Sequence, residues 1–561
     1  MKSKSNIPYK LTDLLLAVIL LNGCGGGGST SAENGAAPAA SARTTPLQAG
    51  DTDCPNGGAL VESGIDENKN GLLDSEEVDS REKVCNGINS HNSLVTMSDE
   101  TAGGNCPYGG IRIDSGLDQN DNSTLDVSEI DATSYVCNRI DGSIGWQAAN
   151  RIETDDTGTA NDPQIAFDTD GNAFAVWSQY DGSRYNIQAN RYTTGMGWGL
   201  AELIETNDAS NAVNPQISID SSGNAVAVWI QSDGSSPDSV YANRYSVGQG
   251  WGNAELIETD DAGIVQSPQL GVDDSGNAVA VWTQFDGSRY NIWSNRYLPG
   301  FGWGTAELIE TGDGQANSPQ IAVNHSGNAI AVWTQHDGSR FSTWSNHYVT
   351  NVGWGLAELI GAEDNSEYYP QIGIDGNGNA IAVWAQFLSA STRLDIWSNR
   401  YTAGNGWGNA ELIEVDDTGS GAYPQINVTA DGNAVAVWSQ DDGSYGSIWS
   451  NRYTVGVGWG TVELVEANPG NALYPQIDSD SRSNALVIWM QDDGSNSNNY
   501  NIWANRYLLG QGWGNAELIE ADAGDANAGQ IAIDTNGNAL AVWQQSDGTR
   551  DNIWSNHWIA P

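Results

Sequence analysis

The chain has 561 residues, too many for one hydrophobic core, so two or more domains are expected. It carries 71 acidic against 22 basic residues, a formal net charge of −49, with no lysine after Lys83. Lacking a basic footprint, it is no partner for nucleic acid or an anionic membrane surface; calcium or cationic partners fit better, and a dispersed negative surface keeps copies apart as monomers.

The N-terminus sets Lys2, Lys4 and Lys10 before an apolar run from Leu14 to Leu21 and then Asn22-Gly23-Cys24, the layout of a short secretory signal. The ending Leu21-Asn22-Gly23-Cys24 resembles the lipobox of bacterial lipoproteins. That resemblance implies cleavage before Cys24, acylation of Cys24 and a membrane contact made through lipid. Gly25 follows instead of Asp, so the usual inner-membrane retention signal is absent and the bacterial outer membrane or cell surface is implied. Residues 1–23 are read as signal peptide, and residues 24–50, rich in Gly, Ser, Ala, Thr and Pro, as a flexible tether.

Assigning Cys24 to lipid leaves four of the five cysteines, Cys54, Cys85, Cys106 and Cys137, in two pairs each 31 residues apart. The simplest pairing is one disulfide inside each copy, and the spacing alone leaves the other connectivities open. Around them the pattern CPNGG…SGIDENKNGLLDSEEV…VC repeats as CPYGG…SGLDQNDNSTLDVSEI…YVC. Residues 51–90 and 91–144 are therefore two small modules, too short to hold together on a hydrophobic core and suited to a staple and a metal. In the first, Asp66, Asn68, Asn70, Asp74 and Glu77 take oxygen-ligand positions of a calcium loop, with Leu72 offering its carbonyl and Gly71 at the sharp turn. The second offers Asp118, Asn120, Asn122, Thr124, Asp126 and Glu129, with Ser123 at the turn. The loops resemble those of EF-hands and dockerin-like modules, which implies bound Ca2+. They depart from an EF-hand upstream, where Ala59–Gly64 and Ile111–Gly116 read as strands; only the exiting Ser75–Val78 reads as helical.

From residue 145 to 561 one unit recurs eight times. Its marker is GNAVAVW or a close variant, ending at Trp177, Trp229, Trp282, Trp333, Trp384, Trp438, Trp489 and Trp543, at spacings of 51 to 54 residues. A period near fifty points to a propeller, solenoid or array. The marker reads as a fully buried strand, with Ala225 and Ala227 on a thin face and Val226 and Val228 on a thick one. Four apolar segments per unit, as in Pro268–Asp273, Asn277–Gln284, Asn291–Tyr297 and Gly302–Glu310, predict four strands per blade. The layout resembles propellers whose Pro-x-Ile strand lies innermost and is similar to repeat lipoproteins of uncharacterised function. The fold expected is all-β: an eight-bladed β-propeller whose last blade takes its outer strand from Trp146–Glu153, closing the ring and removing an open edge. Arg296 and Glu310, recurring on adjacent strands, are candidates for pairing across a blade.

Catalysis needs residues that break the repeat and converge. His325, His336 and His347 share one repeat but fall on a turn, a loop and a strand, and His347 and His557 replace the Arg of Asn-Arg-Tyr. Asp286-Gly-Ser288 and its relatives resemble the Asp-box hairpins of sialidases but lack most of that pattern. The periodic tryptophans read as core. No nucleophile, phosphate-loop or Ser-His-Asp arrangement is found. The function expected is that of a lipid-anchored, calcium-binding, non-catalytic scaffold for an extracellular protein or glycan; the alternative is a propeller enzyme acting on extracellular polysaccharide.

Overall fold

A computed structural model describes residues 39–560, apart from 52–53, 67–72, 74–77, 87–91, 101–109, 121, 138–143, 155–157, 207–209, 233–237, 260–262, 362–364, 388–392, 415–418, 442–444, 467–469, 493–498 and 521–523. Residues 1–23, read as signal peptide, Cys24, Cys106 and most of the first loop read as calcium-binding lie outside these residues.

Two small antiparallel sheets come first. Strands β1 (Ala39–Leu47), β2 (Gly58–Asp66) and β3 (Val78–Cys85) form one, and β4 (Ser93–Glu100), β5 (Gly110–Leu117) and β6 (Ile130–Cys137) the other. The tether therefore ends earlier than its composition suggests, since residues 39–47 pair along their whole length with β2. Arg43 on β1 explains why the strand docks: its Nε donates to Glu62 at 2.9 Å and its Nη1 to the carbonyl of Leu73 at 2.5 Å. Arg81 holds the other oxygen of Glu62, so two guanidinium groups keep that carboxyl below the usual range. Cys54 and Cys85 form a disulfide. The expected strands upstream of both loops are present as β2 and β5. Of the exit read as helical, residues 75–77 lie outside the described residues and Val78 starts β3. In the second copy the exit is one 3-10 turn, Val127–Glu129, which leads straight into β6.

From residue 145 onward eight sheets follow, each built like the third. Its strands, from the axis outward, are Val265–Val272, Ala278–Phe285 and Tyr290–Leu298. The expected fourth strand is broken into two short pieces, Gly302–Trp303 and Glu307–Leu308, which both pair with the third. The break has a physical cause. Asn295 turns its side chain inward and its Nδ2 donates to the carbonyl of Gly304, which frees that stretch from the ladder.

The same amide binds the neighbouring blade. Asn190, Asn243, Asn295, Asn346, Asn399, Asn451, Asn505 and Asn556 each donate to a carbonyl on the outer edge of the preceding blade at 2.6–2.9 Å. For Asn190 that carbonyl belongs to Ile152. Residues 145–151 pair with the last long strand, Asp551–Ile559, so Asn190 links the first blade to the eighth as its counterparts link the others.

The thin and thick faces meet between blades. Val176 of the first blade packs with Ala227 and Trp229 of the second, and Leu540 and Val542 of the eighth pack with Ala173, Ala175 and Trp177 of the first. All eight marker tryptophans are at most 1% exposed. Each indole is satisfied within its strand, as where Trp282 Nε1 donates to Gln284 at 3.0 Å. Arg296 does not pair with Glu310. Its guanidinium lies 4.7 Å from the centroid of Tyr348 on the next blade, and Glu310 instead accepts from Arg289 and Gln335. The aromatic ring holds the guanidinium where it cannot reach the outer strand.

Candidate functional site

Eight-fold repetition makes departures from the repeat conspicuous, and the inner strands carry the clearest one. Each inner strand bulges where its register with the second strand shifts. The residue two before the recurring Gln takes a left-handed backbone, φ between +49° and +54°: Asp162, Asn214, Ser267, Ser318, Tyr369, Tyr423, Tyr474 and Ala528. These residues surround the mouth of the axial channel. A cavity of about 400 Å³ there is lined by Asp162, Asn214, Ser267, Ser318 and Tyr369 together with Gln164, Gln216, Gln269, Gln320 and Gln371.

The eight positions share one backbone but not one chemistry. Blades one to four and eight offer small or polar groups. Blades five, six and seven offer tyrosine. Tyr369 and Tyr423 have ring centroids 4.9 Å apart, and Tyr423 and Tyr474 4.4 Å apart, tilted 47° and 45°. The hydroxyl of Tyr474 donates to that of Tyr423 at 3.5 Å. Tyr369 and Tyr474 are 44% and 46% exposed, so the arc is open to solvent. Asp162 also faces the channel, and the protein wall around it strips water and raises its pKa. The sequence carries this signal in plain sight, as Tyr-Pro-Gln three times running where other repeats read Asp-, Asn- or Ser-Pro-Gln or Ala-Gly-Gln. Reading the aromatic residues for those shared by every repeat hides it, because only three of the eight repeats carry this tyrosine.

A second departure lies further along the channel wall. Asp478 accepts from Asn427 Nδ2 at 2.6 Å, from the amide of Ser479 at 2.8 Å and, through its other oxygen, from the amide of Ile533 at 2.8 Å. Burial pushes its pKa up to about 6 against those hydrogen bonds. Both oxygens are committed to joining three blades, so the carboxyl is not presented to a ligand.

The histidines stay apart in role. His325 faces Asp274 of the neighbouring blade at 2.9 Å, His336 accepts from Gly338, and His347 contacts the Tyr401 hydroxyl at 3.1 Å. Burial lowers the pKa of His347 and takes His557 down to about 4. The Asp-Gly-Ser hairpins are self-contained: Asp286 accepts from Ser288, Arg289 and Asn291, which hold its carboxyl well below the usual range.

The calcium-loop residues separate into two cases. Asn68, Asn70, Leu72, Asp74, Glu77 and the side chain of Asp66 lie outside what is described. The second loop is described apart from residue 121, and its side chains bond within the loop. Asp118 accepts from the amides of Asn122 and Ser123 at 3.0 and 2.7 Å. Glu129 accepts from those of Gln119, Asn120 and Asp126. Asp126 accepts from the side chains of Asn120 and Asn122 at 2.8 and 2.9 Å. The side chain of Asn122 also caps Thr124. Asp118 and Glu129 are only 3% and 4% exposed. Ser123 takes the left-handed turn at φ +62° that a glycine adopts without cost. The acids here face backbone amides, and among the described residues no group of three His, Cys, Asp or Glu side chains shares a common metal-sized centre. The donor set is all oxygen, which fits a hard cation.

A family model described as a domain of unknown function (DUF7151) matches residues 40–85 and 92–137, the two small sheets with their loops. No curated protein matches the chain. Among solved structures, the chain is similar to the polysaccharide lyase Uly1 (10% identity, 74% of this chain and 99% of that one, TM-score 0.44). It is also similar to the β-propeller domain of the Trilobed protease from Pyrococcus furiosus (9% identity, 66% and 97%, TM-score 0.40) and to a protein of unknown function from Dyadobacter fermentans (12% identity, 74% and 98%, TM-score 0.35). At such identities nothing about this chain's activity follows from them.

Proposed function

We propose that this chain is a lipid-anchored, calcium-binding propeller of the bacterial cell surface that binds a ligand without transforming it. The observation that carries the reading is the channel mouth. Three of its residues that depart from the repeat are stacking groups, and of the two perturbed carboxyls in the wall Asp478 is tied down on both oxygens while Asp162 is the one acid among the residues lining the cavity. Glycoside hydrolysis by carboxyl groups takes a pair of them flanking the bond. The lipid on Cys24 places the propeller outside the membrane. The two calcium loops stiffen the modules between them, since modules this small gain order from a staple and an ion.

The test is turnover. The whole chain, incubated with a panel of soluble polysaccharides and proteins, is expected to retain a ligand and release no new chain ends. Appearance of reducing ends or unsaturated sugars, abolished by substitution at Asp162 or Asp478, would overturn this reading in favour of the enzyme.

A further inference from the structure

We infer that Tyr369, Tyr423 and Tyr474 form the stacking platform of a binding site for an uncharged polysaccharide, with pyranose rings laid across the tyrosines and their hydroxyls answered by the glutamine and serine groups of the cavity that Tyr369 lines. This rests on the reading of the propeller as a binding scaffold.

A left-handed φ suits Gly, Asn and Asp and penalises residues with larger side chains. The first two blades obey that preference with Asp162 and Asn214. Three consecutive blades then place tyrosine, at φ +54°, +52° and +52°. Bulky residues at such a backbone are outliers, and local rules broken without a folding gain mark functional sites. Little folding gain offsets this: Tyr369 and Tyr474 are nearly half exposed, Tyr423 lies between them, and apart from Tyr368 beside Tyr369 the ring contacts are with one another.

The geometry then selects the ligand. The tilted rings make a concave arc longer than one ring face, and Tyr supplies rigid, amphipathic contact area at low entropic cost. Sugar rings present C–H faces to aromatic faces and hydroxyls at their edges. In the cavity that Tyr369 lines, Gln216, Gln269 and Gln320 each carry both a donor and an acceptor, matching hydroxyls that are both. A proline-rich peptide would also stack on aromatic rings, but it offers the glutamines carbonyl acceptors and few donors. An acidic glycan is disfavoured by Asp162 in the mouth and by the net charge of −49.

The test uses the whole chain and affinity electrophoresis in gels containing a β-glucan, a galactomannan or a dextran, with polygalacturonate as the anionic control. At least one uncharged polymer should retard the protein, and polygalacturonate should not. Each of Tyr369→Gly, Tyr423→Gly and Tyr474→Gly should weaken that retardation roughly twofold to tenfold, the range of one aromatic contact. Glycine relieves the left-handed backbone, so the melting temperature should hold or rise, which separates lost binding from lost fold. Phe301→Ala, at an exposed ring on a hairpin of another strand pair, should change nothing. Equal retardation of the parent and the triple glycine variant, or none by any uncharged polymer, would overturn the inference. Loss of a proline-rich peptide or a protein ligand in the triple variant would also overturn it while sparing the scaffold reading. Binding accompanied by new chain ends would keep the site and remove the claim that it is non-catalytic.

Discussion

Seven blades bury a glutamate at the end of the outer edge: Glu153, Glu205, Glu258, Glu310, Glu414, Glu466 and Glu520. In the remaining blade that position is Gly361. The carboxylate arrives from elsewhere: Glu367, which is fully buried, replaces the small residue that opens the other inner strands and accepts the amide of Thr343 at 2.5 Å. Glu153 accepts the equivalent amide, that of Ile553. A Cβ on Gly361 would collide with the Glu367 carboxylate, so the two sites exchanged residues together. Glu367→Ala should cost about 1–3 kcal/mol by stranding the amide, and Gly361→Glu should destabilise by crowding two buried carboxylates. The double variant rebuilds the arrangement of the other blades and should be more stable than either single one in denaturant titrations; a double variant as weak as the sum would refute the exchange. His557 gives a pH prediction. Its folded pKa, about 4, lies below the ordinary value of 6.5 because of burial. The unfolded chain then binds the proton more readily, so its contribution to stability is present above pH 6.5 and is lost as pH falls toward 4. His557→Arg, the residue found here in most repeats, should remove that part of the acid sensitivity of the melting temperature.

At the scale of elements, the last sheet borrows residues 145–151 and the first blade's Asn190 reaches back to Ile152. Deleting residues 145–153 should strip the outer edge of the eighth blade and remove one of the two carbonyls to which the buried amide of Asn190 donates. Aggregation or a large fall in melting temperature is expected in size-exclusion and scanning experiments; a monomer that melts like the parent would contradict closure by this segment. The second calcium loop makes its own prediction. Glu129 holds three backbone amides and, on the proposed reading, would bind calcium through both oxygens. Glu129→Gln in the full chain should weaken one calcium site at least tenfold by calorimetry and leave the propeller melt unchanged, because the blade cores do not involve the loop. The marker tryptophans, the order of strands within a blade and the bounds of the second and third strands to within one residue were legible because burial on two faces leaves a sharp apolar run, whereas the inner strand starts at Val265, ahead of the Pro268 read as its start. The split outer strand was not legible, because it depends on where one asparagine side chain finds its carbonyls.

For the whole molecule, the proposed lipid on Cys24 would decide where the propeller works. Cys24→Ser should move the protein from the membrane to the soluble fraction or leave an uncleaved precursor, read by fractionation and detergent-phase partition; unchanged partition would count against acylation. By itself the sequence determined the blade number, the strand order, the closing segment and the duplicated loops, since each follows from local pattern repeated at a constant period. Only the tertiary structure decided that residues 39–47 belong to the first module, that Arg296 lies over the next blade's tyrosine, and that Tyr369, Tyr423 and Tyr474 make one surface. These are contacts between residues about fifty positions apart, or between a strand and a loop. They exist only once the ring brings successive repeats side by side around a common axis.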